Sequence, residues 1–240
     1  MELPVLLITS AIKPDKVSYL KMSDSDKRLE ATIKGIKRWK TQYPDLKIVV
    51  VDGTDFDLSP YIPDDIESLF FKHDSSLVEK LGKGAGEAQD IEYALRKSLL
   101  IKNGKYFMKV TGKYWVENLE KFKSEDLFTN FKCKPIISNT FSLKYINTAF
   151  FCSNKDAYLK IFKNLPYEVN DNHNPEESNS DLEHIMAISI KKNNLRNYIF
   201  SEIPIVAGWT GTGDHMIELY KDRKKHFFRN LKYKILSHIF

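Results

Sequence analysis

Lys83-Gly84-Ala85-Gly86-Glu87-Ala88-Gln89-Asp90, followed by Phe107-Met108-Lys109-Val110-Thr111-Gly112-Lys113-Tyr114, is the stretch whose reading decides the fold. The first part, preceded by Gly82, reads as a glycine loop opening a helix near Glu87, with Ala88, Ile91, Leu95 and Leu99 on its inward face. The second reads as an apolar strand ending in a polar corner that contains a glycine. Glycines at 82, 84 and 86 let the backbone approach a ligand closely, and the N–H groups at a helix start carry partial positive charge. Three glycines alone would describe a surface loop. With the strand and corner beside them, they suit a phosphate or a sugar.

Working outward, strand-like and helix-like segments alternate, which favours an α/β sheet flanked by helices. Val5 to Thr9 is an apolar first strand, and Asp24 or Asp26 can cap a helix whose apolar positions are Leu29, Ile33, Ile36, Trp39 and Tyr43. Lys47 to Thr54 reads as a buried parallel strand stopping at an acidic turn, and Leu69-Phe70-Phe71 as a short third strand. In an open parallel sheet, ligands bind outside the carboxyl ends of the strands. Here those ends carry Thr9, Ser10 and Ala11, then Asp52, Gly53 and Thr54, then Thr111, Gly112 and Lys113. Asp52 can accept hydrogen bonds from a base or ribose, or cap its own turn; Arg28 or Lys113 can pair with a diphosphate.

The chain of 240 residues is 42% hydrophobic and 12% aromatic, enough for one substantial core. No run of eighteen apolar residues and no signal-peptide pattern occurs, so a cytoplasmic location is expected. Cys133 and Cys152 read as core thiols, not as a disulfide framework or a zinc site. The net charge is +5, yet residues 221 to 234 hold seven Lys or Arg against a single Asp, leaving the body close to neutral. That argues against nucleic acid as a partner. With Phe228, Leu231, Ile235 and Ile239 at helical spacing, residues 219–240 read as a basic amphipathic helix that can lie on an anionic membrane surface or dock on the protein's own core. The expected organisation is a domain over 1–218, with halves 1–115 and 116–218, followed by the tail.

Ile8-Thr9-Ser10-Ala11-Ile12, Arg28, Val51-Asp52-Gly53-Thr54, Lys83-Gly84-Ala85-Gly86-Glu87 and Lys109-Val110-Thr111-Gly112-Lys113-Tyr114, in that order, resemble bacterial glycosyltransferases with the GT-A type of fold. The resemblance spans roughly residues 3 to 215 and is nearest to small enzymes of capsule, O-antigen or lipooligosaccharide assembly. It implies a single Rossmann-like domain, a nucleotide-sugar donor held by the first half, and a glycan or lipid-linked acceptor met by the second. By that likeness Thr9, Ser10, Ala11, Arg28 and Asp52 hold the nucleotide, while Gly84, Gly86, Glu87, Asp90, Thr111 and Gly112 approach the sugar or diphosphate. Most such enzymes end the fourth strand with Asp-x-Asp and hold Mg or Mn there. This chain has Lys109-Val-Thr-Gly-Lys113 instead, so either Lys109 and Lys113 neutralise the leaving diphosphate or a metal is bound from elsewhere.

In the second half Ile136 to Asn139 and Ala149 to Ser153 are further strands, with a helix beginning near Asn154. Glu168 to Asp181, which includes His173, is a long acidic loop, of the kind that acts as a lid or as a solvated linker. After it, Asp181 and Glu183 are candidate bases for an acceptor hydroxyl, with His184 adjoining. Ser180 and Glu183 also have capping-box spacing, which would leave Glu183 a cap only. Val206 to His215 packs Trp209, Thr210, Gly211 and Thr212 into a turn that can meet sugar hydroxyls, with Trp209 either a sugar platform or a core anchor. Two other readings share parts of the pattern. A sugar-phosphate nucleotidyltransferase would use the same crevice, but the turn Thr9 to Pro14 lacks a basic glycine-rich signature. A membrane-bound scaffold or carbohydrate-binding protein would explain the tail and the aromatics.

Overall fold

Val5–Ser10 forms β1 because it is apolar on both faces and both faces are covered: Leu7 packs with Val49, Phe107 and Phe151, while Leu6 and Ile8 pack with Val50, Met108 and Phe150. The computed structural model describes residues 3–14, 22–137, 143–171, 180–210 and 215–217. After β1 come α1 (Ser25–Gln42), β2 (Ile48–Asp52), a 3₁₀ turn (Ser59–Tyr61), β3 (Glu67–Phe70), α2 (Ser75–Leu81), α3 (Lys83–Lys97) and α4 (Leu99–Gly104). The chain continues with β4 (Tyr106–Thr111), β5 (Tyr114–Val116), a second 3₁₀ turn (Leu119–Lys121), α5 (Ser124–Leu127), β6 (Phe131–Ile137) and β7 (Leu143–Asn154). It closes with α6 (Lys155–Ile161), α7 (Leu165–Glu168), α8 (Leu182–Lys192), β8 (Val206–Thr210) and β9 (His215–Ile217).

Six strands make one sheet in the order β3-β2-β1-β4-β7-β6. The four strands β3, β2, β1 and β4 run parallel, and β7 is antiparallel to both its neighbours. The α/β architecture expected from the alternation is therefore present, a mostly parallel sheet with helices on both faces. Helices α3, α4, α6 and α8 lie on the Leu7 face, and α1 with the 119–128 segment lies on the Leu6 face. A second, three-stranded sheet, β5-β8-β9, is joined to α1 where Trp39 Nε1 donates to the Tyr114 carbonyl at 3.0 Å. Among the described residues no helix is long and apolar enough to cross a membrane. The basic tail over 219–240 lies outside the described residues.

Local signals account for most boundaries. Asp24 caps α1 by accepting from the Asp26 and Lys27 N–H groups. The buried stripe of α1 is Arg28, Thr32, Gly35, Ile36 and Trp39, rotated from the apolar set by one position so that Leu29, Ile33 and Tyr43 sit at its flanks, half-buried. Two expectations are corrected. Helix α3 begins at Lys83, not near Glu87: Gly82, at φ 91°, takes the N-cap position, and Gly84 and Gly86 are buried in the first turn of the helix. Leu99 does not extend the inward face of α3. Ser98 breaks that helix, caps α4 by accepting the Ile101 N–H at 3.0 Å, and leaves Leu99 65% exposed. Cys133 and Cys152 are free and fully buried, and burial pushes both thiols far up.

Candidate functional site

A cleft of about 400 Å³ opens at the carboxyl ends of β1, β2 and β4, in the size range of small-ligand sites. It is lined by Thr9, Ser10, Ala11 and Arg28, by Gly84, Gly86, Glu87, Asp90 and Thr111, and by Lys113 and Glu183. The strand-end rule thus gathers most of the expected donor residues. His73, Tyr114, Thr148 and Asp171 also line it, and none was anticipated as a site residue.

The cationic end is built by α1 and the corner after β4. Arg28 is buried, donating its Nε to the Ala11 carbonyl and Nη1 to the Met22 carbonyl at 3.0 Å. Burial holds its pKa below the ordinary value, with Asp52 acting in the opposite sense. Lys113 is 8% exposed, and its ammonium makes no hydrogen bond or ion pair among the described residues. Burial, reinforced by the nearby Arg28 charge and only partly offset by Glu87, brings its pKa down to about 7. The corner is held by two close backbone approaches. A Cβ on Gly112 would meet the Thr9 carbonyl oxygen at 2.6 Å, and one on Gly208, at φ 129°, would meet the Lys113 carbonyl oxygen at 2.0 Å. Ser10 adds a buried hydroxyl that has no hydrogen-bond partner among the described residues.

Four carboxylates also line the cleft, as do Lys83 and Asn147. Glu87 Oε1 accepts from the Lys109 ammonium, from the Thr111 hydroxyl at 2.8 Å and from the Thr9 hydroxyl at 3.1 Å. Burial alone would raise this carboxyl, but the Lys109 charge and the three hydrogen bonds pull it below the usual range. Glu183 Oε1 accepts from the Thr148 hydroxyl at 2.8 Å, and burial pushes its carboxyl up. Thr148 reaches it because β7 is irregular: Cys133 pairs with Phe151 and the next residue, Lys134, with Asn147, so residues 148 to 150 bulge out of register with β6. Asp171 Oδ2 accepts the Gly84 N–H at 2.6 Å at the start of α3, so a carboxylate already sits where the glycine segment was expected to hold a phosphate. Its Oδ1 is buried without a partner, and burial raises its pKa despite the Gly84 N–H and nearby Lys83. Between these groups His73 Nε2 and Asp90 Oδ1 lie 2.8 Å apart, and burial pushes Asp90 up to about 7.

Several expected site residues stand elsewhere. Lys109 is fully buried behind Glu87 and gives its remaining hydrogen bonds to Thr111 Oγ1 at 2.9 Å and the Thr148 carbonyl at 2.7 Å, so it does not face a diphosphate. Asp52 is 0% exposed and organises its own turn, accepting from the Ile12 N–H at 2.9 Å and the Thr54 N–H at 2.8 Å. Gly112 serves the backbone approach to Thr9 and does not line the cleft. Asp181 is the N-cap of α8, accepting the His184 N–H at 2.7 Å; the capping box assigned to Ser180 and Glu183 is absent, which frees Glu183 to face the cleft. The His184 ring packs edge-on to Tyr145, 5.3 Å between centroids, away from the cleft. Trp209 is 37% exposed on the second sheet and does not line the cleft. Thr210 contributes backbone pairing with His215, while Gly211, Thr212 and His173 lie outside the described residues. Of the missed residues, His73 stands just past β3 at another strand end, Tyr114 closes the stretch that follows β4, and Asp171 falls in the acidic loop expected as a lid or linker.

No protein-family model matches the sequence, and no curated protein is significantly similar to it. Solved structures are similar to it in fold. A glycosyltransferase involved in the glycosylation of the major capsid of PBCV-1 aligns at 11% identity over 80% of this chain and 77% of its own, with a TM-score of 0.42. The galactosyltransferase LgtC, solved with donor and acceptor sugar analogs, aligns at 8% identity over 65% of this chain with a TM-score of 0.41, and the chain spans 59% of LgtC's length. A 4-diphosphocytidyl-2C-methyl-D-erythritol synthase from Anaerococcus prevotii aligns at 8% identity over 95% of this chain and 96% of its own, with a TM-score of 0.45.

Proposed function

We propose that the chain is a glycosyltransferase that moves a hexosyl group from a nucleotide-sugar donor to a glycan or lipid-linked acceptor, in the assembly of a bacterial surface polysaccharide. The observation that carries the reading is the cationic end of the cleft. Lys113 and Arg28 are two buried like charges side by side, Lys113 with no carboxylate of its own, at the ends of parallel strands. Holding such a pair together is unfavourable unless a multiply charged anion completes it. A nucleoside diphosphate supplies that anion, and the buried Ser10 hydroxyl a further contact.

At the other end Glu183 has one oxygen oriented by Thr148 and a carboxyl held above its usual range, as a general base requires. In the proposed reaction the acceptor hydroxyl gives its proton to Glu183 as its oxygen bonds to the anomeric carbon. The bond from that carbon to the diphosphate oxygen breaks, and its electron pair leaves with the nucleoside diphosphate. Lys113 and Arg28 stabilise the charge that develops there. Glu87 is ionised but tied to Lys109, so its role is to hold the sugar, not to take the proton.

The described residues do not offer a divalent metal the Asp-x-Asp carboxylates after β4 that the resemblance would place there. Among the described residues no three carboxylate, His or Cys side chains gather around one point, and the corner after β4 offers an ammonium where a metal would need carboxylates. The step is therefore written without one. The basic tail is proposed to bring the enzyme to an anionic membrane surface, where a lipid-linked acceptor resides. The test is a panel of UDP-, GDP-, CMP- and dTDP-sugars against the purified chain, followed by thermal stability and by release of nucleoside diphosphate, with and without EDTA. One donor class should raise the Tm and turn over in EDTA. No shift with any of them refutes the donor site, and release of pyrophosphate from a nucleoside triphosphate in its place identifies a nucleotidyltransferase.

A further inference from the structure

We infer that the group this cleft transfers is a neutral or amino-bearing sugar and that donors carrying an acidic sugar are turned away, an inference that rests on the donor site proposed above. Lys113, a residue nine-tenths buried that lines the cleft and whose ammonium has no hydrogen bond or ion pair among the described residues, marks the diphosphate end. Thr111, two residues earlier on the same corner, donates to Glu87 at 2.8 Å, so a sugar leaving that diphosphate lies against Glu87. Carboxylates predominate on this wall, Glu87, Asp171 and Glu183, with the Lys83 ammonium and the Asn147 amide beside them. Glu87 Oε1 is saturated by Thr9, Lys109 and Thr111, and Oε2 makes no hydrogen bond among the described residues. Asp171 spends Oδ2 on Gly84 and keeps Oδ1 buried without a partner. Glu183 spends Oε1 on Thr148.

Hydroxyl and ammonium groups have hydrogens to give such oxygens, and a carboxylate has none. A uronate or sialate carboxyl would meet mostly like charge on this wall. Two cations stand nearby, and neither reverses this. Lys109 is behind Glu87 with its hydrogen bonds already made, and Lys83 offsets the charge of Asp171 only in part.

The test measures binding to the full-length chain, first of free UDP, GDP, dTDP and CMP, then, with the nucleotide that binds, of a neutral sugar conjugate against the matching uronate, and of CMP-sialate. The neutral conjugate should bind at least tenfold more tightly than the uronate. Asp171→Asn, which keeps an oxygen for the Gly84 N–H, should narrow that gap severalfold while leaving affinity for the free nucleotide unchanged. Glu87→Gln is avoided because it would strand the buried Lys109 ammonium. A uronate or sialate that binds as well as the neutral sugars overturns the inference and leaves the transferase reading standing, as does a gap that Asp171→Asn leaves unchanged. If no free nucleotide binds, the donor site itself is refuted and the inference falls with it.

Discussion

Replacing Lys113 by methionine should make the protein more stable and a poorer binder of diphosphate at the same time. Lys113 is 8% exposed, its ammonium has no ion-pair partner among the described residues, and the Arg28 charge acts on it; its pKa falls from 10.5 to about 7. At about 1.4 kcal/mol per unit, keeping this group in the fold costs on the order of 4 kcal/mol at neutral pH. The sign follows from proton counts. Between pH 7 and 10.5 the unfolded chain holds this proton and the folded chain has lost it, so stability rises with pH across that window. The slope reaches at most about 1.4 kcal/mol per pH unit. Urea unfolding of both proteins from pH 6 to 10 reads the effect directly. The variant should be more stable at pH 7 by up to about 4 kcal/mol, and the difference should shrink toward pH 10. Loss of a charge-assisted contact should weaken nucleoside diphosphate binding by roughly 10- to 100-fold. In the wild type, binding at pH 7 should take up about half a proton, seen by calorimetry in buffers of different ionisation enthalpy. A variant less stable than the wild type at pH 7, or a stability difference that does not change between pH 7 and 10, refutes the buried, unpaired ammonium.

Glu183→Gln should leave donor binding intact and lower kcat by roughly 10²- to 10⁴-fold, as loss of a general base does, with no loss of stability at pH 7, because burial already holds this carboxyl above its usual range. Burial raises Asp90 to about 7, so the folded chain holds more protons than the unfolded one between about pH 4 and 7; stability from this group falls as pH rises through that window, and Asp90→Asn should flatten the profile measured by urea unfolding. Gly112→Ala places a Cβ 2.6 Å from the Thr9 carbonyl oxygen, which is backbone and cannot swing away; unfolding should show a loss of about 1–3 kcal/mol, together with weaker nucleotide binding because the Lys113 corner must shift.

Much of the sheet was legible in the sequence for a simple reason. Val5 to Ser10 and Ile48 to Asp52 are continuous apolar runs, which suit strands covered on both faces, and the polar residues that follow them mark the crevice without knowledge of any contact. That rule alone placed Ser10, Ala11 and Lys113. It also explains the overreach at Asp52 and Gly112: both stand at strand ends, yet the turn consumes both Asp52 oxygens, and Gly112 is there for backbone clearance. The cap of α8 was assigned one residue too early because Asp181 and Ser180 are both good N-caps, and only the position of the helix start chooses between them.

The sequence by itself determined local periodicity, the alternation of strand and helix, and which residues follow each strand, and narrowed the cap of α1 to Asp24 or Asp26, because these depend on neighbours within a few positions. Tertiary structure alone decided which charges face the cleft. Lys109 is neutralised by Glu87, 22 residues earlier; Glu183 is oriented by Thr148, 35 residues earlier, across a bulge; and the start of α3 is occupied by Asp171, 87 residues beyond Gly84. A buried charge is stable only with a partner, and which partner it meets depends on strand order and register. Lys113 was left without one.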